Sequence, residues 1–193
     1  MMINPIELKG VWDEGYAMDY HTVKSVPIGE NPFGYMQYNT TYTAIGEVLK
    51  KFKYKNQYDC VNQIVNEIDA FLDDHPQMKE VQSILPVPPS NKNRLYQPAF
   101  EIAELLASRL HVFYSDEVLE KKTDSEYKNL PVSEKISEHG MIVQKMKATR
   151  KINVLLIDDI YQSGSTLRQC AEVLRKDPNI EKIYVLTVKK TRR

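Results

Sequence analysis

The sequence predicts an α/β protein: a twisted, mainly parallel sheet with helices on both faces and a small N-terminal hood or flap. Three observations carry this expectation. From residue 81 onward apolar runs alternate with helical patterns, as strands joined by crossover helices do. One run, Val154-Leu155-Leu156-Ile157, has no polar break, which suits a parallel strand buried on both faces. Residues 3–40 read differently, being rich in aromatics (Trp12, Tyr16, Tyr20, Phe33, Tyr35, Tyr38) and broken by Pro27-Ile28-Gly29-Glu30-Asn31-Pro32. The expected division is a hood or flap segment over 1–40 and an α/β domain over 41–193. At 193 residues this is one domain with a small appendage.

Composition narrows the class. Lys+Arg and Asp+Glu are both 26, so the formal net charge is zero, and nothing in that balance argues for nucleic acid or an anionic membrane. The two cysteines, Cys60 and Cys170, form no Cys-x-x-Cys, which excludes a zinc ribbon and disfavours a disulfide framework. A reducing cytoplasm is the simple expectation. Met1-Met2-Ile3-Asn4-Pro5 lacks a charged stretch leading into an apolar one, and no segment approaches transmembrane length.

In chain order, residues 3–40 suggest short strands or hairpins. Their aromatics suit packing against the following helices, or stacking of a flap on a planar ligand. Thr41–Tyr54 spaces Tyr42, Ile45, Val48, Leu49 and Phe52 as a helix, and Lys50, Lys51, Lys53 and Lys55 favour its C-terminal end. Asp59 stands as an N-cap before Val61, Ile64, Val65, Ile68, Phe71 and Leu72, the cleanest amphipathic helix in the chain. Asp73-Asp74-His75-Pro76 ends it. Val81–Ser90 reads as a strand entering a loop stiffened by Pro86, Pro88 and Pro89. Lys92 and Arg94 follow, as phosphate-binding cations or as solvated ones. Phe100–Leu110 reads as a helix and Val112–Tyr114 as a strand. Glu120–His139 is a long polar stretch, either functional or disordered. Ser133–Lys147 suggests a helix, and Glu181–Val188 the last strand. The histidines His21, His75, His111 and His139 show no ligand spacing, so no metal is assigned to them.

The segment Val154–Thr166 organises the rest. Its apolar run meets Asp158 and Asp159, then a turn, Tyr161-Gln162-Ser163-Gly164-Ser165-Thr166, and then a helical pattern, Leu167–Leu174. Acids at the carboxyl end of a parallel strand face the crevice where open α/β sheets bind ligands. The turn offers backbone N–H groups and hydroxyls at a helix N-terminus, an anion site suited to phosphate. Acids for sugar hydroxyls or a metal beside a phosphate cradle fit a phosphorylated sugar.

This segment resembles the phosphoribosyl pyrophosphate (PRPP) fingerprint of type I phosphoribosyltransferases. The stretches Leu85-Pro86-Val87-Pro88, Ala103-Glu104-Leu105-Leu106-Ala107 and Lys182–Val188 look like the competence-protein-F-like (ComF-like) branch, over roughly residues 36–193, here without that branch's zinc ribbon. The resemblance implies that Asp158 and Asp159 hold the ribose hydroxyls. It implies that Gln162, Ser163, Gly164, Ser165 and Thr166 wrap the 5′-phosphate, and that Pro88, Ser90, Lys92 and Arg94 form the pyrophosphate loop. It also implies a mobile catalytic loop within the polar stretch, with Lys121 and Lys122 meeting pyrophosphate on closure. The implied chemistry is transfer of a phosphoribosyl group to a nitrogen nucleophile, such as a nucleobase. Pyrophosphate is released, and Mg²⁺ is carried by PRPP near Asp158 and Asp159 rather than held by a dedicated protein site. A non-catalytic PRPP or nucleotide sensor, linked to DNA uptake, is the alternative, and a homodimer is left open. Two departures bear on catalysis. The family's Arg-Gly-Phe-Asn-Gln is replaced by Pro98-Ala99-Phe100-Glu101-Ile102. Gln162 stands where purine-salvage relatives have an aspartate, and Gln cannot take a proton as a general base.

Overall fold

The computed structural model describes residues 1, 3–55, 59–89, 96–122 and 141–192. Among them the elements run β1 (Ile6–Glu7), β2 (Glu14–Tyr20), β3 (Thr22–Glu30), β4 (Met36–Tyr42), α1 (Ala44–Lys55), α2 (Asp59–Asp73), α3 (Pro76–Lys79), β5 (Ser83–Pro86) and α4 (Pro98–Leu110). They continue as β6 (Phe113–Tyr114), β7 (Leu119–Lys121), β8 (Ile142–Gln144), β9 (Ile152–Tyr161), α5 (Ser165–Leu174) and β10 (Ile180–Lys190).

The main sheet has the order β1-β2-β10-β9-β5-β6. Only the short edge strand β1 runs antiparallel to its neighbour; the β2/β10, β10/β9, β9/β5 and β5/β6 pairs are parallel. The α/β expectation of a mainly parallel sheet with helices on both faces therefore holds. Side chains alternate across such a sheet. Ile84, Leu155, Leu186 and Met18 point to one face, where α1, α2 and α4 complete a core with Ile45, Leu49, Ile64, Ile68 and Leu106. Leu85, Leu156, Val185 and Ala17 point to the other, where α5 contributes Leu167, Cys170, Ala171 and Leu174. Burial on both sides explains the unbroken apolar run of β9: Val154, Leu155, Leu156 and Ile157 are all fully buried.

The first forty residues are divided between two sheets. β1 and β2 are integral to the main sheet, and Trp12 is buried with its indole N–H donating to the Leu8 carbonyl at 2.7 Å. β3 and β4 pair only with each other, as an antiparallel ribbon nearly all of whose positions are exposed. The expected helix at Thr41 begins at Ala44 instead, because Thr41 and Tyr42 still pair in the ribbon, with Lys24 and Thr22. The expected helix over Ser133–Lys147 is corrected at its described end: 142–144 is a strand, β8, paired antiparallel with β7. Its buried Ile142 packs into the α5-side core, a contact that helical spacing alone cannot foresee. Of the expected lid, Lys121–His139, residues 123–139 lie outside the described residues.

Candidate functional site

Strands β5 and β9 lie side by side up to the end of β5. Pro86 pairs with Ile157, and the Val87 N–H still donates to the Ile157 carbonyl at 2.9 Å. Beyond that point the two chains part. β5 passes into α4 on one face and β9 passes into α5 on the other. Such a topological switch point leaves a crevice at the carboxyl ends of the strands. A cleft of about 370 Å³ lies there, walled by Val87, Pro88 and Pro89, by 97–100 at the start of α4, and by 158–167.

Asp158 and Asp159 occupy β9 just past the level of Pro86, both half-buried and both lining the cleft. The Asp159 N–H donates to Asp158 Oδ1 at 2.8 Å, which holds that carboxylate against the backbone. As consecutive strand residues they lean to opposite faces. Asp158 leans toward α5: burial pushes the Cys170 thiol well above its ordinary value, and the Asp158 carboxylate pushes it further, while Lys121 opposes. The strand runs on to Tyr161, so the acids sit inside the ladder rather than in the loop beyond it. Pairing with β10, Asp158 opposite Thr187, gives them a rigid base.

The turn after β9 is shaped by Gly164. It caps α5 in the left-handed conformation, φ 73° and ψ 4°, which an L side chain adopts at a cost. A Cβ there would also stand 2.6 Å from the Tyr161 hydroxyl, so two constraints converge on glycine. No side chain caps α5. The Ser163 and Ser165 hydroxyls bond each other at 3.0 Å, and the Ser165 N–H reaches Ser163 Oγ at only 3.4 Å. The first-turn N–H groups of a helix need acceptors, and here that turn, with Thr166 and Leu167, lines the cleft. The positive end of the helix dipole lies at the same place.

The opposite wall repeats the arrangement. Helix α4 starts at Pro98, the side chain of its N-cap Gln97 makes no capping hydrogen bond, and Gln97, Pro98, Ala99 and Phe100 line the cleft. Two helix N-termini, diverging onto opposite faces of the sheet, thus open into one crevice. Sequence reasoning missed the second. Pro98 at the first helical position after a strand and loop was the available signal.

The residues singled out in the sequence fare unequally. Asp158, Asp159, Gln162, Ser163, Gly164, Ser165, Thr166 and Pro88 come together around the cleft. Ser90, Lys92 and Arg94 lie outside the described residues. Lys121 ends β7 and Lys122 follows it; neither lines the cleft. The Lys122 ammonium pairs with Glu120 at 2.7 Å and the Lys122 backbone N–H donates to the Met141 carbonyl, so the residue serves the β7–β8 ribbon. Lys121 stays within electrostatic reach of Cys170, on the Asp158 side of the sheet. Among the described residues no group of three or more His, Cys, Asp or Glu is placed to hold a metal, and no helix is long and apolar enough to cross a membrane.

No protein-family model and no curated protein matches the chain. Solved structures do. Adenine phosphoribosyltransferase from Trypanosoma brucei, solved with AMP, pyrophosphate and ribose-5-phosphate, is similar at a TM-score of 0.48 and 11% identity, covering 99% of this chain and 87% of that one. Adenine phosphoribosyltransferase from Thermoanaerobacter pseudethanolicus gives 0.47 and 16%, covering 88% and 95%. Orotate phosphoribosyltransferase from Aeropyrum pernix gives 0.45 and 11%, covering 84% and 73%. These are similarities of backbone path, and nothing about ligand or reaction follows from them.

Proposed function

We propose that the cleft binds PRPP and that the protein transfers its phosphoribosyl group to a nitrogen nucleophile, releasing pyrophosphate. The observation that carries this reading is the uncapped, glycine-shaped N-terminus of α5 directly after an acid pair at the switch point of the sheet. PRPP needs such a pairing: oxygen acceptors for two ribose hydroxyls, and N–H donors for a phosphate a few ångströms away. The second helix N-terminus, at α4, supports a ligand with phosphate at both ends. The stretches resembling the ComF-like branch fall on β5, α4 and β10, and we assign the protein to that branch on them. The ribbon β3–β4 is our candidate for the hood.

In this reading Asp158 and Asp159 accept hydrogen bonds from the ribose hydroxyls and place negative potential near the anomeric carbon, where positive charge develops. The loop 162–166 anchors the 5′-phosphate, so that the sugar is held in one orientation for attack. The cleft's acids are hard oxygen donors, a set that suits Mg²⁺, which supplies charge neutralisation on the leaving group. Among the described residues the carboxylates lining the cleft are Asp158 and Asp159, which this reading engages with the ribose hydroxyls, and that fits a leaving group that needs charge neutralised rather than a proton.

One observation favours a second reading, a PRPP or nucleotide sensor without turnover. Pro98, Ala99 and Phe100 line the cleft at the place where the family has Arg-Gly-Phe. Calorimetry with PRPP and Mg²⁺ separates the outcomes. The wild type is expected to bind, and Asp158→Asn/Asp159→Asn to lose about tenfold or more in affinity, since each charged hydrogen bond contributes about 1.5–3 kcal/mol. No binding by the wild type would sink both readings. Binding without pyrophosphate release across a panel of nucleobases would leave the sensor.

A further inference from the structure

The β3–β4 ribbon protects one of its two edges and leaves the other bare. A sheet edge invites pairing unless charge, proline or a bulge blocks it. β3 carries all three: Lys24 and Glu30, Pro27, and the extra residues Val23 and Ile28 at its two register shifts. β4 carries none. Its seven residues, Met36-Gln37-Tyr38-Asn39-Thr40-Thr41-Tyr42, include no charge, no proline and no glycine, and both insertions lie on the β3 side of the pairing. Among the described residues no strand lies beyond β4. Met36 and Tyr38 are 46% and 57% exposed, and Gln37, Asn39 and Thr41 are exposed as well. No residue of 22–42 belongs to either core. A long uncharged edge of this kind is a template for another strand.

The strand is also complementary to itself. Laid antiparallel on a second copy and centred on Asn39, it sets Met36 against Tyr42, Gln37 against Thr41, Tyr38 against Thr40 and Asn39 against Asn39. Side chains alternate along a strand, so these pairs sort by face. One face joins methionine to a tyrosine ring, and a tyrosine ring to a threonine methyl. The other joins amide to hydroxyl and amide to amide, each a donor meeting an acceptor. All seven residues are used. A two-fold axis passes through Asn39, as in contacts where one surface meets itself. A foreign strand would have to match this pattern, whereas a second copy already carries it.

We propose that β4 pairs with β4 of a second copy of this chain, joining two ribbons into one four-stranded antiparallel sheet ordered β3-β4-β4-β3. Two strands alone are marginal in water, and four with a shared apolar face are not. The contact is confined to the ribbons, so it is weak and reversible, and the free ribbon prevails at low concentration. The inference does not depend on what the cleft binds.

Sedimentation velocity of the full chain from about 1 to about 100 μM is expected to show a monomer–dimer equilibrium, as contacts burying less than about 1,200 Å² give. Tyr38→Lys/Thr40→Lys sets lysine against lysine twice across the axis and is expected to weaken the dimer about tenfold or more. Ile28→Lys, a charge on a bulge of β3, leaves it unchanged. Asn39→Cys is expected to form a disulfide between copies in oxidised glutathione, because strand-paired Cα atoms about 4.5–5.5 Å apart lie within disulfide reach. The native Cys60 and Cys170 are buried and do not compete. Far-ultraviolet circular dichroism checks the fold of each variant. A chain that stays monomeric throughout that range overturns the proposal and leaves the edge to a strand of another protein. So does a dimer undiminished by the two lysines. A disulfide that forms as readily in Ile28→Cys as in Asn39→Cys overturns it too, because the contact would then lack this register.

Discussion

At Gly164 two independent constraints meet, a positive φ and the Tyr161 ring, and this makes the residue a sharp test of the cradle. Gly164→Ala is expected to cost about 1–3 kcal/mol of stability, as left-handed strain at a non-glycine residue does, and to weaken PRPP binding. Adding Tyr161→Ala removes the contact but not the φ penalty, so a denaturation series should recover only part of the loss. A second residue-scale expectation concerns Asp177, which is 2% exposed. Burial pushes its carboxyl up, but N–H groups of Ala148 and Asn179, the Gln144 amide and the charge of Lys147 outweigh that and leave it below the ordinary value. A depressed carboxylate stabilises the fold above its unfolded pKa of about 3.9, and that contribution is lost as pH falls through the folded value. Urea midpoints of the wild type should therefore drop below about pH 4 by more than those of Asp177→Asn. At pH 7 that variant should be the less stable by about 1–3 kcal/mol, having lost acceptors for buried donors.

Among the elements, the ribbon β3–β4 stands apart. Among the described residues it pairs with no other strand, and Ile28, Phe33, Tyr35 and Tyr38 are 63%, 84%, 72% and 57% exposed. An isolated two-stranded ribbon is marginal in water. Replacing 24–40 with a short glycine-serine turn should therefore change the stability of the remainder by no more than about 1 kcal/mol, and ribbon amides should exchange with solvent far faster than those of β9. A large loss of stability would show that the ribbon carries core packing. The helical expectations of the sequence did well where an amphipathic face met one core: α2 buries Val61, Ile64, Val65, Ile68, Phe71 and Leu72, with Asp59 in its first turn rather than before it as an N-cap. At the described end of the helix expected over Ser133–Lys147 they did poorly, because β8 is a three-residue strand that buries a single apolar side chain, Ile142. Such a strand has no period of its own to read.

For the whole molecule, two cores on opposite faces of one sheet share β9, and neighbouring leucines serve different ones. Leu155 packs with α2 and α4, and Leu156 packs with α5. Leu155→Ala and Leu156→Ala should each cost about 2–5 kcal/mol by chemical denaturation, as buried leucine truncations do. Neither should alter the PRPP affinity of the folded fraction, because neither side chain lines the cleft.

The sequence by itself determined the sheet class, the strand β9 and the chemistry of its end. Unbroken apolar runs, an acid pair and a glycine that needs positive φ are local facts, and local physics reads them. Tertiary structure alone decided what faces that chemistry. The switch between β5 and β9 sends α4 and α5 to opposite faces and brings both of their N-termini to one cleft, although 98 and 165 are far apart in the chain. It also decided that β2, from the supposed flap, is the parallel neighbour of the last strand. Parallel pairing joins strands distant in sequence through backbone hydrogen bonds that carry no residue signature, so no reading of the first forty residues could have supplied that partner.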